Sequence, residues 1–130
     1  MLNVLSGMND ANIKSVPVAT GTTLANGDWV KLVDGKAAKL TAKVAFTDGL
    51  VMPVFAHPGD SYDNKVLAKA DCVTSKACII ETDKVAAETI KAGDPLTVGA
   101  AGLTKAATGD IVVGYAFKDL TGGVLQAILG

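Results

Sequence analysis

Thr23-Leu24-Ala25-Asn26-Gly27-Asp28-Trp29-Val30-Lys31-Leu32 returns 66 residues later as Thr89-Ile90-Lys91-Ala92-Gly93-Asp94-Pro95-Leu96-Thr97-Val98. Each copy reads as a turn followed by a strand. A Gly-Asp pair reverses the chain, after which Val30 and Leu32, or Leu96 and Val98, take one face of an extended segment. Gly109-Asp110-Ile111-Val112-Val113-Gly114 is a shorter echo. The aspartates Asp28, Asp94 and Asp110 read as turn caps rather than paired catalytic acids, since a carboxylate following a tight turn accepts nearby backbone N–H groups. In strict alternation Trp29 lies opposite Val30 and Leu32, which places it outside a core built from those two. It is expected either under a loop or at a contact with another chain, where Trp is over-represented.

Working outward, Asp34-Gly35 after Trp29–Val33 signals a hairpin, because both central residues of the favoured tight turn need positive φ. Lys36 to Lys43 is the returning strand. Ile13 to Thr20, interrupted by Pro17, reads as an edge strand or bulge. Leu50 to Ala56, Val66 to Ala70 and Cys72 to Glu81 follow as strands, then Pro95 to Gly99, Leu103 to Ala106, Ile111 to Lys118 and Val124 to Leu129. Val85 to Ala92 is the one short helix expected, capped by Thr82 or Asp83 with Glu88 in its body. Turn signals arrive about every 8 to 12 residues, the spacing of an all-β barrel or sandwich. Residues 1–12 read as an N-terminal arm, and 13–130 as a single β-rich domain.

Of 130 residues, 49% are hydrophobic but only six are aromatic, so the core must be built from small units such as Ala and Val. Each buried methylene contributes only about 0.8 kcal/mol. Burial against neighbouring subunits is therefore an expected supplement, and the chain is expected to act as an oligomer or assembly component. Twelve basic residues, all Lys, stand against 13 acidic ones. Without Arg forks or a lysine run, neither nucleic acid nor an anionic membrane surface is an expected partner. No segment approaches the roughly 18 apolar residues of a membrane span, and Met1-Leu2-Asn3-Val4-Leu5-Ser6-Gly7 lacks the basic lead of a secretory signal. Synthesis in the cytoplasm is expected.

Chemistry has little to work with. His57 is the single histidine, placed before Pro58-Gly59 in the main polar loop, and reads as a turn residue. Cys72 and Cys78 would lie about 20 Å apart along one strand, too far to bridge. Their spacing fits no common zinc pattern, so they read as reduced small hydrophobes. Asp60, Asp63 and Asn64 could offer oxygens to calcium but lack the glycine and distal glutamate of a helix-loop-helix site. The glycines lack the Gly-Lys-Ser/Thr ending of a phosphate cradle. No nucleophile elbow or Cys-His pair is present. No enzyme activity, metal or cofactor is expected.

The run Thr89 to Val98, with Ala101-Gly102-Leu103-Thr104, Val112-Val113-Gly114-Tyr115-Ala116 and Gly123-Val124-Leu125-Gln126-Ala127-Ile128-Leu129, resembles the capsid decoration (cement) proteins of tailed bacteriophages. Thr23 to Lys36 is similar to the N-terminal half of the same proteins. The resemblance covers about two thirds of the chain; Leu50 to Glu81 matches less well and reads as a variable insertion over 50–81. It implies a β-tulip or small β-barrel domain, bound in many copies to the outer surface of an icosahedral head, where it ties together adjacent major capsid subunits. It further implies a virion location and a homo-oligomer, a trimer first and a dimer second. Leu2, Val4 and Leu5 of the arm, with Trp29, are the expected capsid or subunit contacts. The alternative is a carbohydrate- or host-surface-binding module, with Trp29, Tyr62 and Tyr115 as its aromatics.

Overall fold

The computed structural model describes residues 1–6, 13–55, 61–63, 69–73 and 77–130. His57, Asp60, Asn64, the side chains of Tyr62 and Asp63, and the outer half of the expected arm, residues 7–12, lie outside that set. The described residues form an all-β protein. Its strands are β1 (Leu2–Ser6), β2 (Ile13–Pro17), β3 (Thr23–Ala25), β4 (Trp29–Val33), β5 (Lys36–Lys39), β6 (Val51–Pro53), β7 (Ser61–Asp63), β8 (Lys69–Val73), β9 (Ile79–Thr82), β10 (Pro95–Gly99), β11 (Gly102–Lys105), β12 (Gly114–Ala116) and β13 (Leu125–Leu129). A 3-10 turn spans Phe46–Asp48.

Six strands make one antiparallel sheet in the order β1-β9-β13-β12-β10-β11. The others pair as β5-β4-β6, β2-β8 and β3-β7. The Asp34-Gly35 reading holds: φ is 52° at Asp34 and 74° at Gly35, and Val33 pairs with Lys36 across the turn. Among the described residues the expected barrel closure is not found. The smaller sheets are instead joined by single bridges, Val54 to Cys72 and Val18 to Ala37, around a shared interior.

There are two cores. Leu2, Trp29, Ile80, Leu96, Val98, Leu103 and Leu125 belong to the larger; Leu24, Val30, Met52, Val54, Ala70 and Cys72 to the smaller. Period-two alternation explains how they meet. Trp29 enters the larger core and its neighbour Val30 the smaller, while Val73 and Cys72 of β8 divide in the same way. In β6, Val51 packs on the larger core and Met52 fills the smaller. β4, β6 and β8 therefore form a wall with apolar packing on both sides.

Two expectations are corrected. The helix over Val85 to Ala92 is absent. Val85 bridges Leu103 in parallel and the Ala86 N–H donates to the Leu103 carbonyl at 2.8 Å, so the segment runs extended along β11. Glu88 holds it there, accepting from Thr104 Oγ1 and the Lys105 N–H, both at 2.6 Å. The close approach also fixes Gly102: its φ is +99°, and a Cβ there would sit 2.1 Å from the Lys84 carbonyl oxygen.

Nor is the start of the chain an arm as far as Ser6. Leu2, Asn3 and Val4 pair with Thr82, Glu81 and Ile80, and Leu2 is fully buried. An apolar strand start beside an unpaired β9 edge gains more by adding to its own sheet than by staying in water. The register shifts between Val4 and Ser6, a bulge of the kind that bends an edge strand and blunts it against further pairing.

Candidate functional site

The structure separates the four expected contact residues. Leu2 is in the larger core and Trp29 is only 4% exposed, so neither is available to a partner in this fold. Trp29 was placed correctly on the face opposite Val30, but that face meets a second core rather than solvent. Val4 is half-buried against the larger core, and Leu5, at the bulge, is exposed. The aromatic set Trp29, Tyr62 and Tyr115 is not assembled either: Trp29 is buried, Tyr115 is exposed on β12, and the Tyr62 side chain lies outside the described residues.

A different apolar surface comes together. Leu50, Val51 and Pro53 from the β6 side face Ile111, Val112 and Val113 across a groove of about 200 Å³ whose floor includes Trp29. Leu50 and Val112 are exposed at its rim. Four residues before Leu50, Phe46 is 90% exposed on the 3-10 turn. That turn is pinned: Asp48 Oδ2 accepts the Ala45 N–H at 2.7 Å, and Lys31 Nζ donates to Asp48 Oδ1 at 3.1 Å. The Ala45 N–H, followed by the Lys31 ammonium, holds the Asp48 carboxyl below its ordinary pKa. A large aromatic ring is thus presented to solvent by a pinned turn, four residues ahead of the groove's rim residue Leu50. Sequence reading missed both because Leu50 reads only as the start of a strand, Phe46 follows no periodic signal, and the opposing Ile111 to Val113 segment is 60 residues away from Val51 to Pro53.

The polar groups serve the turns. In four places an aspartate carboxylate accepts the N–H of the residue three before it: Ala25 to Asp28, Ala45 to Asp48, Lys91 to Asp94, and Ala107 to Asp110, at 2.7 to 2.9 Å. The turn-capping reading of Asp28, Asp94 and Asp110 holds, and Asp48 adds a case that lacks the Gly-Asp order. Each carboxylate also meets a lysine: Lys84 and Lys39 at Asp28, Lys31 at Asp48, Lys105 at Asp94, Lys43 at Asp110.

Asp28 is the buried member. Burial pushes its pKa up, but hydrogen bonds from Lys84 and the Ala25 N–H, with the charges of Lys84 and Lys39, bring it below the usual carboxylate range. These acids are occupied by caps and ion pairs, with no pair of carboxylates facing a common substrate space. Burial pushes the Cys72 thiol up to about 12, so it is a thiol rather than a thiolate at neutral pH. Among the described residues no group of three or more His, Cys, Asp or Glu side chains gathers as for a metal ion, and no helix is long and apolar enough to cross a membrane. Searches of family models, curated proteins and solved structures return no match to this chain.

Proposed function

We propose that this chain is a structural binding protein without catalytic activity, which docks on a larger protein surface through Phe46 and the apolar groove. The observation that carries this reading is Phe46 itself. A side chain 90% exposed on a turn fixed by Asp48 and Lys31 is an aromatic anchor held ready before binding, the kind of residue that dominates interface energetics. The resemblance to tailed-phage decoration proteins supplies the partner: the outer face of the major capsid protein, covered in many copies on the virion. Self-association at a symmetry axis, as a trimer first and a dimer second, belongs to the same proposal. The expected core of small units is not the one built, since Leu2, Leu24, Met52, Ile80 and Leu96 are all buried, so self-association rests on the resemblance alone.

Leu5 and Val4 stay in the proposal only as peripheral contacts beside the groove reading, and Leu2 and Trp29 leave it. The test combines stoichiometry and docking. Quantitative mass spectrometry of purified particles is expected to give a simple ratio of this chain to the major shell protein. Shells stripped of the chain should then recover it in co-sedimentation, and Phe46→Ser with Leu50→Ser should reduce occupancy by about tenfold or more. Absence of the chain from particles, or full occupancy by the double variant, would overturn the reading.

A further inference from the structure

The outer face of the six-stranded sheet carries a second, chemically different concavity, sharing no lining residue with the groove. Glu81 of β9 and Gln126 of β13 are cross-strand partners, and their side chains hydrogen-bond, Gln126 Nε2 donating to Glu81 Oε2 at 3.2 Å. Phe117 lies alongside, its N–H bonded to the Gln126 carbonyl at 2.7 Å, and its side chain is 48% exposed. Lys118 and Asp119 complete a depression of about 590 Å³, within the size range of small-molecule sites. The walls are held by backbone: Asp119 Oδ1 accepts the Ala92 N–H at 2.8 Å.

The lining selects among ligand classes. An apolar peptide would cover Lys118 and the remaining donor and acceptor positions of the Gln126–Glu81 pair without bonding them. A phosphate or nucleic acid would meet no net positive charge, since Glu81 stands against Lys118 and Asp119 is already paired with Lys91 at 3.6 Å. An uncharged pyranose fits both halves. One of its faces is a sheet of C–H groups suited to the ring of Phe117, and its vicinal hydroxyls each donate and accept, as an amide beside a carboxylate requires. We infer that this concavity binds a neutral pyranose, with Phe117 under the apolar face of the sugar and Gln126 and Glu81 on adjacent hydroxyls. The site is open and shallow, so single sugars bind weakly and short oligomers better. The inference stands apart from capsid docking and is tested on the free protein.

The experiment is an NMR titration of the isotope-labelled chain with glucose, galactose, mannose, N-acetylglucosamine and their di- and trisaccharides, with sialic acid as the anionic control. At least one neutral sugar is expected to shift the resonances of Phe117, Gln126 and Glu81 together, and sialic acid to leave them in place. Phe117→Ala should weaken that binding about tenfold, the loss of one stacked ring, while Phe117→Tyr retains it and Gln126→Ala lowers it through hydroxyl contacts. Phe46→Ser should leave it unchanged, which separates this site from the docking surface. A panel in which no neutral sugar moves these resonances overturns the inference, as does binding that persists in a folded Phe117→Ala, Gln126→Ala variant.

Discussion

In the first copy of the repeated phrase Asp28 is buried and ion-paired with Lys84, and the strand after it has Trp29 and Val30 buried but Leu32 exposed. In the second, Asp94 is a quarter exposed with Lys105 at 3.5 Å, and Leu96, Thr97 and Val98 are all buried. The turns match: both aspartates accept the N–H three residues back at 2.9 Å. A turn of this kind is closed by local bonds and is indifferent to what its strand packs on. Burial beyond it is decided by what the strand pairs with outside the turn, β6 for the first copy and β11 and β12 for the second.

Charge at the matching strand position gives the sharpest contrast. Val98→Lys places an unpaired ammonium in the larger core and is expected to cost more than about 4 kcal/mol, whereas Leu32→Lys stays within about 0.5 kcal/mol. Equal denaturation midpoints for the two variants would break the comparison. Directly after each aspartate, Trp29→Ala should cost about 3–5 kcal/mol by opening the larger core, against less than about 1 kcal/mol for the half-buried Pro95→Ala. A mild loss at Trp29 in urea unfolding would mean that β4 is not a wall between two cores.

At the aspartates themselves, Asp94→Ala removes a turn cap, about 1 kcal/mol. Asp28→Ala removes a cap and the partner of Lys84; because that lysine is partly exposed and rehydrates, about 2 kcal/mol is expected. The pH dependence follows from the direction of the Asp28 shift. Its folded pKa lies below the unfolded value near 3.9, so its contribution is complete above about pH 5 and lost as pH falls through the folded value. Asp28→Asn should therefore flatten the acid limb of a stability-against-pH curve, and parallel limbs in the two proteins would remove the carboxylate as its source. The smallest effect is a gain. Thr97 is buried with no partner for Oγ1 among the described residues, and Thr97→Val should raise stability by about 1 kcal/mol in thermal unfolding.

What could be read from the chain alone was whatever is closed locally. The Asp34-Gly35 hairpin, the bounds of Trp29–Val33 and Pro95–Gly99, and the aspartate caps depend on residues within a few positions of one another, and the sequence displays them. Alternation also put Trp29 on the correct face. It could not say that the face was covered, since a strand between two cores and a strand between core and water show the same period. Val85 to Ala92 failed as a helix because its decisive partners, Leu103, Thr104 and Lys105, lie on another strand. Leu2 failed as an arm contact for the same reason, its place being set by Thr82. Phe46, the groove, and the Glu81, Gln126 and Phe117 concavity have no periodic trace, because cross-strand pairing and exposure alone create them.

The flanking of β9 by β1 and β13 has a mechanical consequence. Leu2 and Leu125 both sit opposite Thr82, while Ser6 and Ile128 both sit opposite Ile79, so β1 and β13 point the same way on either side of an antiparallel strand. Tension between Met1 and Gly130 draws β1 backward and β13 forward along β9. The hydrogen bonds of both ladders lie across that direction, so the pull shears them all together instead of peeling them one by one. Rupture then requires all the bonds of one ladder to fail together, and resistance to stretching is set by the barrier to that event, not by equilibrium stability.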